Sequence, residues 1–168
     1  MWNGIANTFP KIIMKQLKLK NTLFSLSFLI MGVFMLSFSG TEEPKGTLCL
    51  QVHGLKKIEG NIGILVFNRE GGFPMTKEHA VLNKKVKVNA LTLEIDLEDL
   101  PYGKYAIAIV HDINSNKVFD KNFLGIPTEP FGFSNNKSIF RGLPDFQEAS
   151  IELNQKRIEA KIKLIHLF

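Results

Sequence analysis

From Gly46 onward, apolar and polar side chains alternate with a period of two, and this alternation constrains the fold more than any other feature. It runs through three segments: Leu48 to Val52, Leu91 to Leu97 and Ile158 to Leu164. Successive side chains of a β-strand point to opposite faces of the sheet, so each segment has one apolar and one polar face. These segments are therefore predicted to be strands that bury one face in a core.

Two further segments, Ile62 to Phe67 and Tyr105 to Val110, are largely apolar on both faces. This is typical of central strands that are covered on both sides. Shorter strands at Val86 to Val88 and Ser150 to Leu153 bring the expected number to about seven, with turn residues between them, as in an antiparallel sandwich. No long helical period appears, and the best helical candidate is Thr76 to Leu82, capped by its threonine.

The segment Leu100-Pro101-Tyr102-Gly103-Lys104-Tyr105 leads into the second central strand. Its Leu-x-x-Gly-x-Tyr pattern resembles the same part of transthyretin-like and collagen-binding-B-like sandwiches of exported proteins. We therefore predict an all-β fold over residues 46–166, preceded by an N-terminal signal or anchor helix. The fold is a single antiparallel β-sandwich of about seven strands, immunoglobulin/transthyretin-like. Its one cysteine, Cys49, allows no internal disulfide, so stability must come from the apolar core.

Residues 1–40 differ in composition from the rest of the chain. Leu23 to Phe38 carries no charge and is nearly all apolar, and three lysines precede it: Lys15, Lys18 and Lys20. This is the pattern of a secretory signal peptide. The small residues Ser37 and Ser39 predict cleavage after Ser39 or Gly40, and Met14 is an alternative start that gives a signal of ordinary length. The predicted location is the periplasm, the outer envelope or the medium.

An uncleaved anchor is the competing interpretation of the same segment. Residues 21–41 carry no charge and approach the roughly 20 residues that a membrane-spanning helix needs. In that case the domain would be held at the inner membrane. In both cases, contact with the membrane is expected only through the N-terminal segment.

The apparent basicity of the chain comes mostly from this segment. Four of the 21 lysine and arginine residues lie before residue 40, and none of the 16 aspartate and glutamate residues do. That leaves 17 basic against 16 acidic residues, a net charge of +1. A nucleic-acid partner would require a clustered basic face, so none is expected. The expected partners are an envelope protein or a glycan, and the sequence does not define an oligomeric state.

Oxygen-bearing residues recur at alternate positions of the segment from His111 to Asp120. In an EF-hand loop, calcium ligands come from positions one, three, five, seven (through the backbone carbonyl) and nine. The corresponding residues are Asp112, Asn114, Asn116, Val118 and Asp120. This spacing predicts a calcium loop. Position twelve is Phe123 rather than a bidentate glutamate, so we expect weak binding, in the range of ~10⁻⁴ to 10⁻³ M.

Two alternatives to a calcium loop remain open in the sequence. Glu129 could complete the ligand shell if the following chain folds back toward the loop. Alternatively, Asp112, Asn114 and Asn116 could stabilise a turn without a metal, because Asx side chains accept hydrogen bonds from nearby backbone amides.

A long connection from Asn122 to Phe146 interrupts the alternation and is rich in Gly, Pro and Phe. Such connections in compact domains are usually functional. Aromatic rings beside amides suit a glycan or a peptide, which predicts a ligand surface. Its members are His111, Glu129, Phe131, Phe133, Ser134, Asn135 and Asn136. The alternative is that the phenylalanines pack inward and cover the core.

A hydrolase or carbohydrate-active module is the alternative function, with His111 acting beside Asp112 or Glu129. No serine lies in a Gly-x-Ser-x-Gly nucleophile elbow, and the four histidines form no close pair that would suit zinc. We therefore favour a non-enzymatic binding or structural role in the cell envelope.

The run His-Asp-x-Asn-x-Asn-x-x-x-Asp, followed by the segment from Asn122 to Asn136, resembles the bacterial family known as domain of unknown function 2141. The resemblance extends from Thr47 to about Leu164. It implies a small exported β-rich protein and no assigned activity. In that family a glycine usually follows the second asparagine, whereas this chain has Lys117. Glycine permits the sharp turn of a calcium loop, so Lys117 makes the turn less favourable and adds a positive charge.

Overall fold

The computed structural model describes residues 42–137 and 139–167, and those from Glu43 onward form one compact unit. The described residues form eight strands: β1 (Lys45–His53), β2 (Asn61–Phe67), β3 (Leu82–Lys87), β4 (Leu93–Pro101), β5 (Gly103–Asp112), β6 (Phe131–Phe133), β7 (Ile151–Leu153) and β8 (Arg157–Lys163). Helical structure is limited to the 3₁₀ turns Lys77–His79 and Ser134–Asn136 and the single-turn helix α1 (Phe146–Ala149). The predicted signal or anchor at 1–40 lies outside the described residues. Within them, no helix is long and apolar enough to cross a membrane.

The strands form two sheets. In the three-stranded sheet, β1 lies between β4, to which it is antiparallel, and β8, to which it is parallel. The other sheet has the order β3-β2-β5-β6, and β7 pairs with the first residues of β5. The β-rich prediction is confirmed. The parallel pair differs from the expected all-antiparallel arrangement because the chain crosses from one sheet to the other between β7 and β8, and such a crossover can bring strands together in parallel.

The alternating residues form the core between the sheets. Leu48, Leu50 and Val52 of β1 and Ile62 and Ile64 of β2 are fully buried in one cluster. Burying a side chain of this size stabilises the fold by about 1.5–3 kcal/mol. The predicted core faces of the three alternating segments are therefore the observed ones, except at Leu91, which lies before the start of β4 and is 51 % exposed.

The five-stranded sheet is also covered on its outer face. Phe67 and Ala106 pack there against Phe146 and Ala149 of α1. Further along β5, Ala108 packs against the rings of β6. This double coverage explains why β2 and β5 are apolar on both faces, and β2 and β5 are central strands as predicted.

The helix predicted at Thr76 to Leu82 is shorter than expected. Only Lys77–His79 is helical, as one 3₁₀ turn, and the Thr76 side chain makes no capping hydrogen bond. The reason is that Leu82 already belongs to β3, where it pairs with Val66 of β2. Strand pairing therefore takes the residues that would have extended the helix.

Candidate functional site

The predicted ligand loop leaves the sheet at the end of β5. Asp112 is the last residue of that strand and pairs with Asn61 of β2. The chain returns at β6, where His111 N–H donates to the Pro130 carbonyl at 2.8 Å. The loop between these points is closed on itself, because Thr128 N–H donates to the Asp120 carbonyl at 2.9 Å. Both ends of the loop are thus fixed by backbone hydrogen bonds.

Asp112 organises the first part of the loop. The side chain is buried, and its Oδ2 accepts from Lys85 Nζ and from the Lys117 backbone N–H, each at 3.1 Å. Its Oδ1 is also buried and has no hydrogen-bond partner among the described residues. Burial alone would raise the pKa of Asp112, but the Lys85 hydrogen bond and then the backbone N–H of Lys117 outweigh it, so the pKa lies below its ordinary value. Asp112 is therefore a carboxylate whose two oxygens differ, one bonded to Lys85 and Lys117 and the other without a partner among the described residues.

The other predicted ligands meet around Asp120. The side-chain amides of Asn114 and Asn116 donate to the Asp120 carboxylate at 2.7 and 3.0 Å. Their oxygens accept backbone N–H groups two residues further on, at Asn116 and Val118. Lys117 has a φ of +67°, in the left-handed region. Side-chain oxygens that accept a backbone N–H two residues further on are the hydrogen bonds of Asx turns, so these contacts agree with the metal-free alternative.

Glu129 connects the two ends of the loop, as expected if the long connection folds back. It is 6 % exposed, and its oxygens accept the N–H groups of Ile113 at 3.1 Å and Asp120 at 3.3 Å. Burial raises the pKa of Glu129, and these backbone hydrogen bonds offset only part of the rise. The Glu129 carboxylate therefore lies directly beneath the predicted ligand loop.

A different set of donors comes closest together elsewhere in the described residues. Among the described residues, one group of three potential metal-ligating side chains has its donor atoms within 4.8 Å of one another. It consists of Cys49, Glu94 and Asp96. Arg157 occupies both carboxylates, at 2.8 Å from Asp96 and 3.2 Å from Glu94. Burial, then the hydrogen bonds of these carboxylates, raises the pKa of Cys49 to about 12. This cluster is held by an arginine. Sequence reasoning missed it because its three members come from two strands, β1 and β4, and the arginine comes from a third, β8.

His111 is enclosed at the end of β5. It is 1 % exposed, and its Nε2 donates to the Glu59 carbonyl at 2.8 Å. Its Nδ1 is buried and has no hydrogen-bond partner in the part of the chain that the structure describes. A ring in this position orders the chain before β2 and is not open to a substrate from solvent.

The aromatic residues predicted as a ligand surface face inward. Phe131 and Phe133 are each 5 % exposed, and their ring centroids lie 5.8 Å apart. The Phe119 ring packs edge-on against Phe131. The inward-packing alternative therefore describes these rings, which cover the outer face of β5 rather than forming an exposed stacking surface.

The polar residues after β6 have structural partners. Ser134 is fully buried, and its hydroxyl accepts from Ile107 N–H at 2.9 Å. The Asn135 amide donates to the Ser150 carbonyl, and Asn136 bonds to both the carbonyl of Lys161 and the N–H of Lys163. Both asparagines have positive φ, which asparagine tolerates better than most residues. Two adjacent asparagines are therefore the sequence signal that would have indicated a turn with positive φ at these positions.

Lys85 is the residue at the loop that sequence reasoning did not assign to it. It lies on β3, which is an edge strand. Its ammonium group nevertheless reaches over β2 to Asp112. Only the register of the three neighbouring strands reveals this contact.

Comparison with known families assigns the chain. The model of a family described as an uncharacterized protein conserved in bacteria (DUF2141) matches residues 50–161. The chain belongs to this family. The match confirms the resemblance seen in the sequence and includes the whole loop from Asp112 to Glu129. No curated protein and no solved structure matches the chain. The family description names no activity, so a function for this DUF2141 protein must be argued from its own residues.

Proposed function

We propose that the protein is an exported β-sandwich module of the bacterial cell envelope, with a binding or structural role, whose Asp112 to Asp120 loop binds calcium weakly. The observation that carries the proposal is the Asp112 carboxylate. One oxygen accepts the N–H of Lys117, the sixth position of the loop, while Oδ1 is buried with no partner within residues 42–137 and 139–167. A carboxylate oxygen buried without a partner is costly, and a cation would satisfy it.

The remaining ligands would come from the same turn. The oxygens of Asn114 and Asn116 can each accept a second interaction, because an amide oxygen has two lone pairs. Asp120 lies against both amides. Glu129 would act as the glutamate that position twelve lacks, since its carboxylate already bonds to both ends of the loop.

Weak affinity follows from the same geometry. The amides of Asn114 and Asn116 would have to release Asp120 as the ion enters. Lys85 already neutralises Asp112, and Lys117 adds charge beside it. An exported protein meets enough calcium to occupy a site of Kd ~1 mM.

The finer fold assignment, an immunoglobulin/transthyretin-like sandwich, is supported by Tyr105. Its hydroxyl donates to the Pro101 carbonyl at 2.7 Å, four residues upstream. A tyrosine bonded back to the chain at a strand corner recurs in sandwiches of immunoglobulin type. The parallel β1–β8 pair departs from the simplest form of that fold.

Thermal unfolding in the presence of calcium tests the loop. At 10 mM calcium, a site of Kd ~1 mM stabilises the protein by about 1.4 kcal/mol. For a domain of this size, the melting temperature should rise by about 4–8 °C. Magnesium at the same concentration should have little effect, because it requires a tighter octahedral shell. Asp120→Asn should abolish the rise, and the exposed Asp99→Asn should keep it.

Lys117 provides a second variant with the opposite expected effect. Lys117→Gly relieves the positive φ and removes the charge, so the calcium-dependent rise should increase. Lys117→Gln removes only the charge and should give an intermediate increase. No calcium-dependent rise in any of these proteins would refute the calcium loop.

A further inference from the structure

The outer face of the five-stranded sheet carries a groove beside the predicted calcium loop. Two adjoining hollows of about 340 and 500 Å³ share the same central floor and wall. Their shared residues are Leu65, Pro74, Ala108, Val110 and Phe119. Both volumes fall in the range of small-molecule sites, ~300–1,000 Å³. We call the two hollows together the outer groove.

The walls of the outer groove are apolar and partly open to solvent. Met75, Val118 and Leu143 lie on its rim and are 55, 59 and 52 % exposed. The floor continues the Phe131 and Phe133 cluster. Exposed apolar side chains that converge on a concave floor mark a binding site more often than isolated ones do.

Charge defines the kind of ligand. Four lysines line the outer groove: Lys77, Lys85, Lys117 and Lys121. Among the described residues that line it, the one carboxylate is Asp112, which is already bonded to Lys85. Three of the four lysines lie at the Asp112 end of the groove. A ligand that fits must therefore be apolar along its length and negatively charged at one end.

We infer that the outer groove binds a single-chain amphipathic carboxylate, with its acyl chain over Leu65 and Val110 and its head group among Lys77 and Lys117. A second copy of the chain is a poorer occupant, since a symmetric contact would bring the lysines of both copies together. A flat membrane surface is also a poorer fit, because the floor is recessed behind Met75 and Leu143.

Calorimetric titration of the purified protein with octanoate, decanoate and dodecanoate tests the inference. Each added methylene should strengthen binding by up to about fourfold, the gain expected for burying one CH₂. Dodecyltrimethylammonium has the same chain with a positive head and should bind at least about tenfold more weakly than dodecanoate. All titrations contain EDTA, so the outcome is independent of the calcium loop.

Matched variants separate binding in the groove from non-specific adsorption. Val118→Gln, on the rim, should weaken dodecanoate binding by about fivefold. Val81→Gln replaces a valine of similar exposure, 49 % against 59 %, outside the groove and should leave binding unchanged. Lys77→Gln should weaken binding, whereas Lys57→Gln should not.

Three results would overturn the inference. The first is no heat of binding with monomeric dodecanoate. The second is equal affinity for the anionic and cationic amphiphiles. The third is binding to phosphatidylglycerol vesicles without binding to free dodecanoate, which would assign the exposed apolar rim to a membrane surface instead.

Discussion

Asp112 has two structural roles at the point where the loop leaves the sheet. It ends a central strand and also accepts the backbone N–H that closes the turn after it. A polar side chain can be buried here only because Lys85 approaches from the edge strand. The same contact makes the loop sensitive to acid.

The effect of pH on stability can be predicted from Asp112. Its pKa in the folded protein is lowered, so its contribution is complete above the unfolded value of ~3.9 and is lost as the pH falls through the folded pKa. At pH 7, Asp112→Asn should lower the free energy of unfolding by about 1–2 kcal/mol, and this difference should shrink toward zero in acid. Urea unfolding of both proteins across the acid range measures it.

Because Glu129 also titrates differently in the folded and unfolded protein, the pH dependence must be measured as a difference between the parent and Asp112→Asn. The folded pKa of Glu129 is raised, so the folded protein takes up this proton more readily than the unfolded chain, and acid favours folding at this residue. The pH profile of the parent protein alone therefore mixes two opposite effects. A difference between parent and Asp112→Asn that stays constant from neutral pH to strong acid would contradict the role given to the Lys85 contact.

At the scale of elements, strands with a clear period could be predicted from the sequence, and those formed by tertiary pairing could not. The alternation in β1, β4 and β8 and the double burial of β2 and β5 are properties of their own residues. In contrast, β6 has three residues and exists because it pairs with Ala108 to Val110 of β5. The parallel pairing of β8 with β1 likewise depends on a crossover whose direction leaves no periodic signal.

The candidate site divides in the same way. The fold-back of Glu129 was one of the alternatives that the sequence left open, and its carboxylate accepts the N–H groups of Ile113 and Asp120. The inward orientation of Phe131 and Phe133 could not be predicted, since an apolar ring on a three-residue strand can face either side. Asn135 and Asn136 were expected to be ligand residues because their amides suit glycans, whereas their backbone conformation gives them a structural role.

Gly60 tests how tightly the turn before β2 fits against the loop. Its φ is +68°, and an added Cβ would overlap the carbonyl oxygens of Asp112 and Ile113. Gly60→Ala should therefore lower the free energy of unfolding by about 2–4 kcal/mol, combining the left-handed conformation with the overlap. Gly125→Ala is the matched control, because its φ is +77° with nothing within 4 Å, and it should lose only about 1 kcal/mol. Equal losses in chemical denaturation would show that the overlap is relieved without cost.

At the scale of the whole molecule, the loop and the outer groove share one wall. Asp112, Lys117 and Val118 line the same hollow. The two proposals therefore concern neighbouring parts of one end of the domain, and calcium in the loop would order the rim that an acyl chain contacts. The calcium proposal requires the domain to lie outside the cytoplasm, where calcium reaches millimolar concentrations, so the N-terminal segment decides its relevance.

Cleavage of the N-terminal segment is the prediction that tests export of the domain. If residues 1–40 are a signal peptide, the intact mass of the protein recovered from a bacterial host should correspond to a chain that begins at Gly40 or Thr41. Replacing the three small residues, in Ser37→Leu with Ser39→Leu and Gly40→Leu, should block cleavage after either Ser39 or Gly40, because signal peptidase requires small side chains there, and the full-length precursor should then remain with the membrane. A parent protein recovered from the membrane fraction with residues 21–41 intact would favour the anchor instead. It would place the loop and the groove at the inner-membrane surface.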